Sequence, residues 1–185
     1  MYTTRFLTKT EHFRYGEWLK SQDEETVHMF FGYAVNDAAI DQLIDGIMAS
    51  PLKHNFLVAE DHGQLLGVIH IAETSIDEVE FGIIVDKNYR QQGIADALIS
   101  DAIIWARNRG YHSLFMHCLS WNYAIKRLCS KHGLLIRSES GESETKMPLP
   151  PATPYTWGAE VAIKNRNIYK MLLQNNLDFI KEIYG

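Results

Sequence analysis

The apolar positions of this chain change period along its length, and each change predicts a change of element. Residues 2–8 (YTTRFLT) read as a first strand. Thr8 with Glu11 and Ser21 with Glu24 have capping-box spacing and predict two helix starts. The first helix is short, through Trp18 and Leu19, and the second runs from about Asp23 to Phe31. Ile40, Leu43, Ile44 and Ile47 then recur at helical spacing after Asp37 and stop before Ser50-Pro51. Strand-like apolar runs follow at 55–60 (NFLVAE) and 64–72 (QLLGVIHIA) around the turn signal Asp61-His62-Gly63, and at 78–85 (EVEFGIIV) after the polar break 74–77. Three successive strands with short connections predict an antiparallel meander.

Beyond residue 85 the pattern alternates. A helix is expected over 94–108, with Ile94, Leu98, Ala102 and Trp105 on its apolar side and Gly110 as its stop. A short strand at 113–118 and a helix over 122–132, stopped by Gly133, come next. Strand, helix, strand requires a parallel pair between 78–85 and 113–118, joined by a right-handed crossover. Residues 134–138 (LLIRS) are a further strand candidate, and 140–144 read as a polar loop. Residues 147–154 hold four of the five prolines, which predicts a linker or an edge-strand exit. The helical period returns over 161–184, with Ala162, Tyr169, Leu173, Leu177, Ile180 and Tyr184 near one stripe. The expectation is an α/β domain over 1–150, built on a twisted mixed sheet, and a helical extension over 151–185 that packs on the core or lies between subunits.

Composition narrows the function classes. A chain of 185 residues buries about 70% of its extended surface on folding, enough for a core without disulfides or a structural metal. Lys and Arg total 18 against 23 Asp and Glu, and this balance argues against a general nucleic-acid binder. Two cysteines exclude a disulfide scaffold and a four-cysteine zinc site, and no H-E-x-x-H pattern joins the histidines, so no metal is assigned. No run of 18 apolar residues and no apolar segment behind a basic start occurs, so neither a membrane span nor a signal peptide is expected, and the expected location is cytoplasmic.

The stretch VDKNYRQQGIADAL, residues 85–98, places a Gly and small residues where a strand gives way to a long helix. Gly93 permits close backbone approach, and the unpaired N–H groups of the first helical turn suit a phosphate or pyrophosphate, with Arg90 adding charge; an ordinary tight strand-to-helix turn fits the same residues. The segment is neither G-x-G-x-x-G nor a P-loop. Arg90, Gln91, Gln92, Gly93, Ile94 and Ala95 match the Q/R-x-x-G-x-G/A signature of the GCN5-related N-acetyltransferases, which this sequence resembles. Residues 121–134 (WNYAIKRLCSKHGL) resemble the family's helix after the fifth strand, with Asn122, Ala124, Leu128, Lys131 and Gly133 in register and Ile125 and Leu134 at the usual Met and Phe positions. EVEFGIIV and DEETVHMFFG (23–32) are similar to segments of the bacterial protein-lysine acetyltransferases that modify acyl-CoA synthetases. The likeness covers about residues 4–138.

The resemblance implies a fold whose fourth and fifth strands are parallel and splay apart, with acetyl-CoA in the slot. It places main-chain contacts to the pantetheine on Ile83, Ile84 and Val85, and pyrophosphate contacts on main-chain N–H groups from Gln91 through Asp96. It also gives Asn122 a role in orienting the pantetheine arm, a residue equally suited to cap the next helix. Transfer to an amine needs a proton acceptor, because a lysine ammonium titrates near 10.4. Glu80 matches the glutamate of the lysine-acetylating subgroup and is the expected general base, with Glu78, of the same parity, behind it. Cys129 stands where many relatives carry a tyrosine acid and is read as a small core residue. Cys118 reads as a buried strand cysteine, and His117, whose strand faces the slot, is a minor acid–base candidate. Trp121 borders the acceptor mouth, and Lys126, Arg127 and Lys131 form a small basic cluster. The implied activity is N-acetylation of a primary amine, a protein lysine side chain first. A small amine such as a polyamine, amino acid or aminoglycoside is the alternative, and a CoA-binding sensor without turnover is the second. The terminal helix raises the expectation of a homodimer.

Overall fold

Valine, isoleucine and phenylalanine fill the central runs of the chain, and in the computed structural model, which describes residues 2–139 and 142–184, these runs form one seven-stranded sheet. Its strands are β1 (Thr3–Phe6), β2 (His54–Asp61), β3 (Gln64–Glu73), β4 (Glu78–Val85), β5 (Ser113–Leu119), β6 (Leu135–Glu139) and β7 (Glu142–Pro148), paired in the order β1-β2-β3-β4-β5-β7-β6. The expected meander is present: β2, β3 and β4 pair antiparallel. The expected parallel pair is present too, but it is short, matching only Glu78 with Ser113, Val79 with Leu114 and Glu80 with Phe115. Beyond those rungs β5 stays paired with β7 up to Leu119, while β4 runs on to Val85 bonded only to β3.

The sheet separates two apolar layers. On one face Val79, Phe81 and Ile83 pack against α4 (Ile94–Asn108) through Ile94, Leu98, Ala102 and Trp105. On the other, Phe56, Val58, Val68 and Ile84 meet α1 (His12–Lys20), α2 (Glu24–Phe31) and α3 (Asp37–Ala49) through Tyr15, Leu19, Val27, Ile40 and Ile47. Helix α5 (Tyr123–Lys131) follows β5, and α6 (Pro154–Tyr184) closes the chain.

Four local expectations are corrected. The first strand is shorter than 2–8, and α2 is capped by Asp23, whose side chain accepts from Thr26 N at 3.2 Å; the Ser21 hydroxyl instead donates to Trp18 O at 2.6 Å. Residues 142–144, read as loop from their polarity, belong to β7, because sheet pairing with β5 outweighs side-chain preference; Ser140 and Gly141 lie outside the described residues. The last helix starts at Pro154, seven residues early. Thr153 Oγ1 accepts from Thr156 N at 3.2 Å, and proline is favoured in a first helical turn.

Helix α6 is tied to its own chain by polar contacts. The Asn167 amide bonds both the carbonyl and the N–H of Thr4 on β1, and Glu160 accepts from Asn108 Nδ2 at 2.7 Å and Arg109 Nη1 at 2.8 Å. Burial opposes ionisation of Glu160, but the Arg109 and Asn108 bonds outweigh it and bring the carboxyl down to about 2. Arg5 and Arg14 hold Glu11 below the usual carboxylate range in the same way. A carboxylate depressed in the folded state stabilises the fold above its unfolded value near 4.5, and this contribution is lost as pH falls toward the folded value. The melting temperature is therefore expected to drop between about pH 4.5 and pH 2 in acid scanning calorimetry. Glu160→Gln should flatten part of that slope, and an unchanged slope would remove α6 docking from the acid response.

Candidate active site

The divergence of β4 from β5 opens a cleft of about 650 Å³. Because the parallel rungs end at Glu80, the β5-side backbone groups of residues 81–85 have no strand partner on that edge. An extended ligand can pair there as an added strand. At the far end, α4 begins. Gly93 sits in the left-handed region at φ +75, and the first intrahelical bond runs from Ala97 N to Gly93 O at 3.0 Å, so the N–H groups of Ile94, Ala95 and Asp96 are left for a guest. A Cβ built on Gly93 meets no atom within 4 Å, which places open space in front of that turn. This start is held against the sheet by Gly67 on β3, where a Cβ would stand 2.9 Å from Ile94 Cγ2.

Of the expected cofactor residues, Ile83, Ile84, Val85, Arg90, Gln91, Gly93, Ile94, Ala95 and Asn122 line the cleft; Gln92 and Asp96 do not. The Asp96 carboxylate instead bridges α4 to the end of α5, 2.7 Å from Lys131 Nζ and 2.8 Å from His132 Nε2. Asn122 is buried and caps α5, accepting from Ile125 N at 3.2 Å. Arg90 donates to Thr26 Oγ1 at 2.7 Å and to Val85 O at 3.3 Å. Thr26 in turn donates to Asp23 at 2.7 Å, so one polar chain ties the start of α2 to the loop before α4.

Glu80 lines the other end of the cleft, half-buried, and is the only carboxylate lining it among the described residues. Around it stand Tyr15, Phe30, Phe31, Tyr33, Leu43 and His70. Glu78 is engaged elsewhere: it accepts from Ser113 Oγ at 2.8 Å and Lys146 Nζ at 2.6 Å, contacts that hold its carboxyl below the usual range. Cys129 is wholly buried, bonds Met116 Sδ at 3.7 Å and is pushed up to about 11 by burial, as a core thiol is. Cys118 and His117 both line the cleft, and burial raises the Cys118 thiol. Trp121 is half-exposed and stacks on His28 of α2 at 6.4 Å; neither residue is part of the cleft lining. Lys126 donates to Ser120 O and Lys131 pairs with Asp96, so these two members of the basic cluster have local partners. Among the described residues no three His, Cys, Asp or Glu side chains gather as a metal site requires, and no helix is long and apolar enough to cross a membrane.

Sequence reasoning missed the residues that face Glu80 from other elements. Phe30 reaches over β4 because Gly82 has no side chain; a Cβ there would stand 3.0 Å from Phe30 Cζ. His70 carried one signal, a lone ionisable residue inside the apolar run GVIHIA.

A mixed sheet with one open inner edge, and a helix start lining the same cleft, suits an extended ligand that carries phosphate. The sequence matches the acetyltransferase (GNAT) family over residues 12–134, and the chain belongs to that family. Its fold is similar to that of the GNAT domain of S. lividans PAT, with 16% identity, 79% of this chain and 89% of that one covered, and a TM-score of 0.68. It is similar also to a Sinorhizobium meliloti phosphinothricin acetyltransferase in complex with acetyl-CoA (15% identity, 83% and 94% covered, TM-score 0.62). A third likeness is to the Vibrio cholerae spermidine N-acetyltransferase in complex with CoA and spermine (16%, 80% and 95%, 0.61). Among curated protein sequences, none matches this one.

The open edge of β4, the free N–H groups at α4 and the uncovered Gly93 fit acetyl-CoA, which supplies the activated acyl group. Gly93→Val should weaken acetyl-CoA binding at least about tenfold, about 1.4 kcal/mol, by titration calorimetry. The positive φ also lowers the variant's melting temperature, while its circular dichroism stays native. Unchanged affinity in the folded variant would place the phosphates elsewhere.

Proposed function

We propose that this acetyltransferase transfers the acetyl group of acetyl-CoA to a lysine side chain of a protein, with Glu80 as the general base. The observation that carries the reading is that, among the described residues, a single carboxylate lines an aromatic and aliphatic acceptor end. A polyamine brings at least two ammonium groups, and each is best matched by an anionic partner once desolvated. Glu80 offers one, and Phe30, Phe31 and Leu43 suit the four-carbon stem of a lysine. Glu80 takes the ammonium proton beside the β4 edge, and the freed amine is then positioned for direct attack on the thioester. The departing thiolate draws its proton from solvent, consistent with Cys129 being buried in the core. Two free cysteines, Cys118 and Cys129, suit a reducing, cytoplasmic setting.

The same proposal extends to assembly. Residues 1–150 carry the catalytic domain, and the extension over 151–185 joins two copies of the chain. One face of α6 carries the contacts to β1 and α4, while Trp157, Val161, Ile168 and Leu172 share the opposite face and are 52%, 57%, 52% and 52% exposed. A stripe of this kind fits a second copy of the helix. Light scattering should report a dimer that Val161→Glu with Ile168→Glu converts to monomer; a parent already monomeric at high micromolar concentration ends the idea.

Glu80→Gln keeps size and hydrogen bonding but removes the base. Transfer to a lysyl acceptor at neutral pH should fall roughly 10²–10⁴-fold, with acetyl-CoA affinity unchanged. Raising the pH should recover part of the rate, because more amine arrives deprotonated. A variant that matches the parent from pH 6 to 9 would make Glu80 an ordinary strand residue.

A further inference from the structure

Next to Glu80 the cleft holds a second polar group whose surroundings are built to fix it. His70 pairs with Gly82 across β3 and β4, so it lies diagonally from Glu80 on the same face of the sheet, within reach of a common guest. Its ring is clamped. It stacks on Phe56 at 4.7 Å and 14°, lies 6.1 Å from the Tyr15 ring, and its Nε2 is 3.0 Å from Nδ1 of His54 on β2. With Nε2 taken, Nδ1 is the nitrogen left for the cleft, and it has no hydrogen-bond partner among the described residues. Tyr15 lines the same end and is 0% exposed; its hydroxyl is buried with no partner among the described residues. Buried polar groups are rarely left unpaired, so this end of the cleft is suited to a polar guest.

The geometry points to His70 as the second acceptor for the incoming primary amine, its Nδ1 and the Glu80 carboxylate together holding the amine, with His54 fixing the tautomer that leaves a lone pair on Nδ1. This rests on the acetyltransferase reading with Glu80 as base. A primary ammonium carries three donors in a small volume, and one carboxylate with an aromatic rim does not satisfy them all. For Nδ1 to accept, His70 must be neutral with its proton on Nε2, donated to His54 Nδ1; His54 then carries its own proton on Nε2.

The charges around the ring agree. Burial, then His54 and His12, push His70 down to about 3, and burial, then Lys9, lower His54. From α1 the ring faces His12, itself lowered to about 4 by burial, and Tyr15; from β2 it faces His54, with Lys9, Lys53 and Glu73 beyond; from β4 it faces Glu80. His70 is thus an uncharged acceptor through the whole range in which acetyl transfer is assayed, and it adds no positive charge against an ammonium.

The test uses the full chain, acetyl-CoA and Nα-acetyl-lysinamide, with spermidine as comparison amine. His70→Phe keeps the stacking and removes the nitrogens; it should raise the KM for the lysyl amine at least about tenfold, with acetyl-CoA affinity and circular dichroism as in the parent. His70→Gln returns an acceptor oxygen and should bring that KM back toward the parent value. Long-range 1H–15N spectra of the CoA-bound parent should show His70 and His54 both neutral with Nε2–H, and the His70 Nδ1 signal should move on adding the lysyl amine. A parental amine KM in folded His70→Phe, or His70 found as the Nδ1–H tautomer, overturns the inference while leaving Glu80 untouched. Parental activity in Glu80→Gln overturns the base reading and, with it, the shared amine site. Absence of turnover by the parent with either amine overturns both.

Discussion

Two neighbouring strands that start paired and then part company create everything else in this molecule. After Glu80 and Phe115 the parallel ladder between β4 and β5 stops, yet neither strand ends, because each has an antiparallel partner on its other side. An open row of backbone donors and acceptors is normally a liability at the rim of a sheet. Here it lies inside the protein, along a cleft lined by residues of α2 and α5. The vertex of the split is also the position of Glu80, so the last shared rung sets that carboxylate at the inner end of the slot.

The helix start at the slot's other end depends on backbone that side chains would obstruct. Gly67 lets Ile94 lie on the sheet, and Gly93 turns the chain at positive φ into α4. The polar chain from Asp23 through Thr26 to Arg90 ties α2 to the same loop, so α2 and the turn into α4 are braced against one another. The end of the cleft around Glu80 is different in kind. Its walls come from α1, α2, α3 and β3, and its polar groups among the described residues include Glu80, His70 and the hydroxyls of Tyr15 and Tyr33.

Much of this was readable from order alone. The period change near residue 54, the meander, the parallel crossover and the glycine turn into α4 are local or nearest-neighbour properties, set by side-chain spacing and by the φ that Gly93 permits. Glu80 and the residues from Ile83 to Ala95 that line the cleft were legible through the family resemblance, which is carried by one continuous stretch of the chain. What tertiary structure decided was everything that depends on distance across the sheet. Polarity pointed to loop at 142–144, but pairing with β5 makes strand. The sequence named no partner for the Asp96 carboxylate, and contact with the end of α5 turns it to Lys131 and His132. Glu78 and Glu80 share a face and a charge, and only their neighbours separate them: Ser113 and Lys146 occupy one, while the other faces the cleft. His70 lies ten residues before Glu80 in the chain, and nothing in that spacing places the two on one face until β3 folds back on β4 and the register brings His70 opposite Gly82.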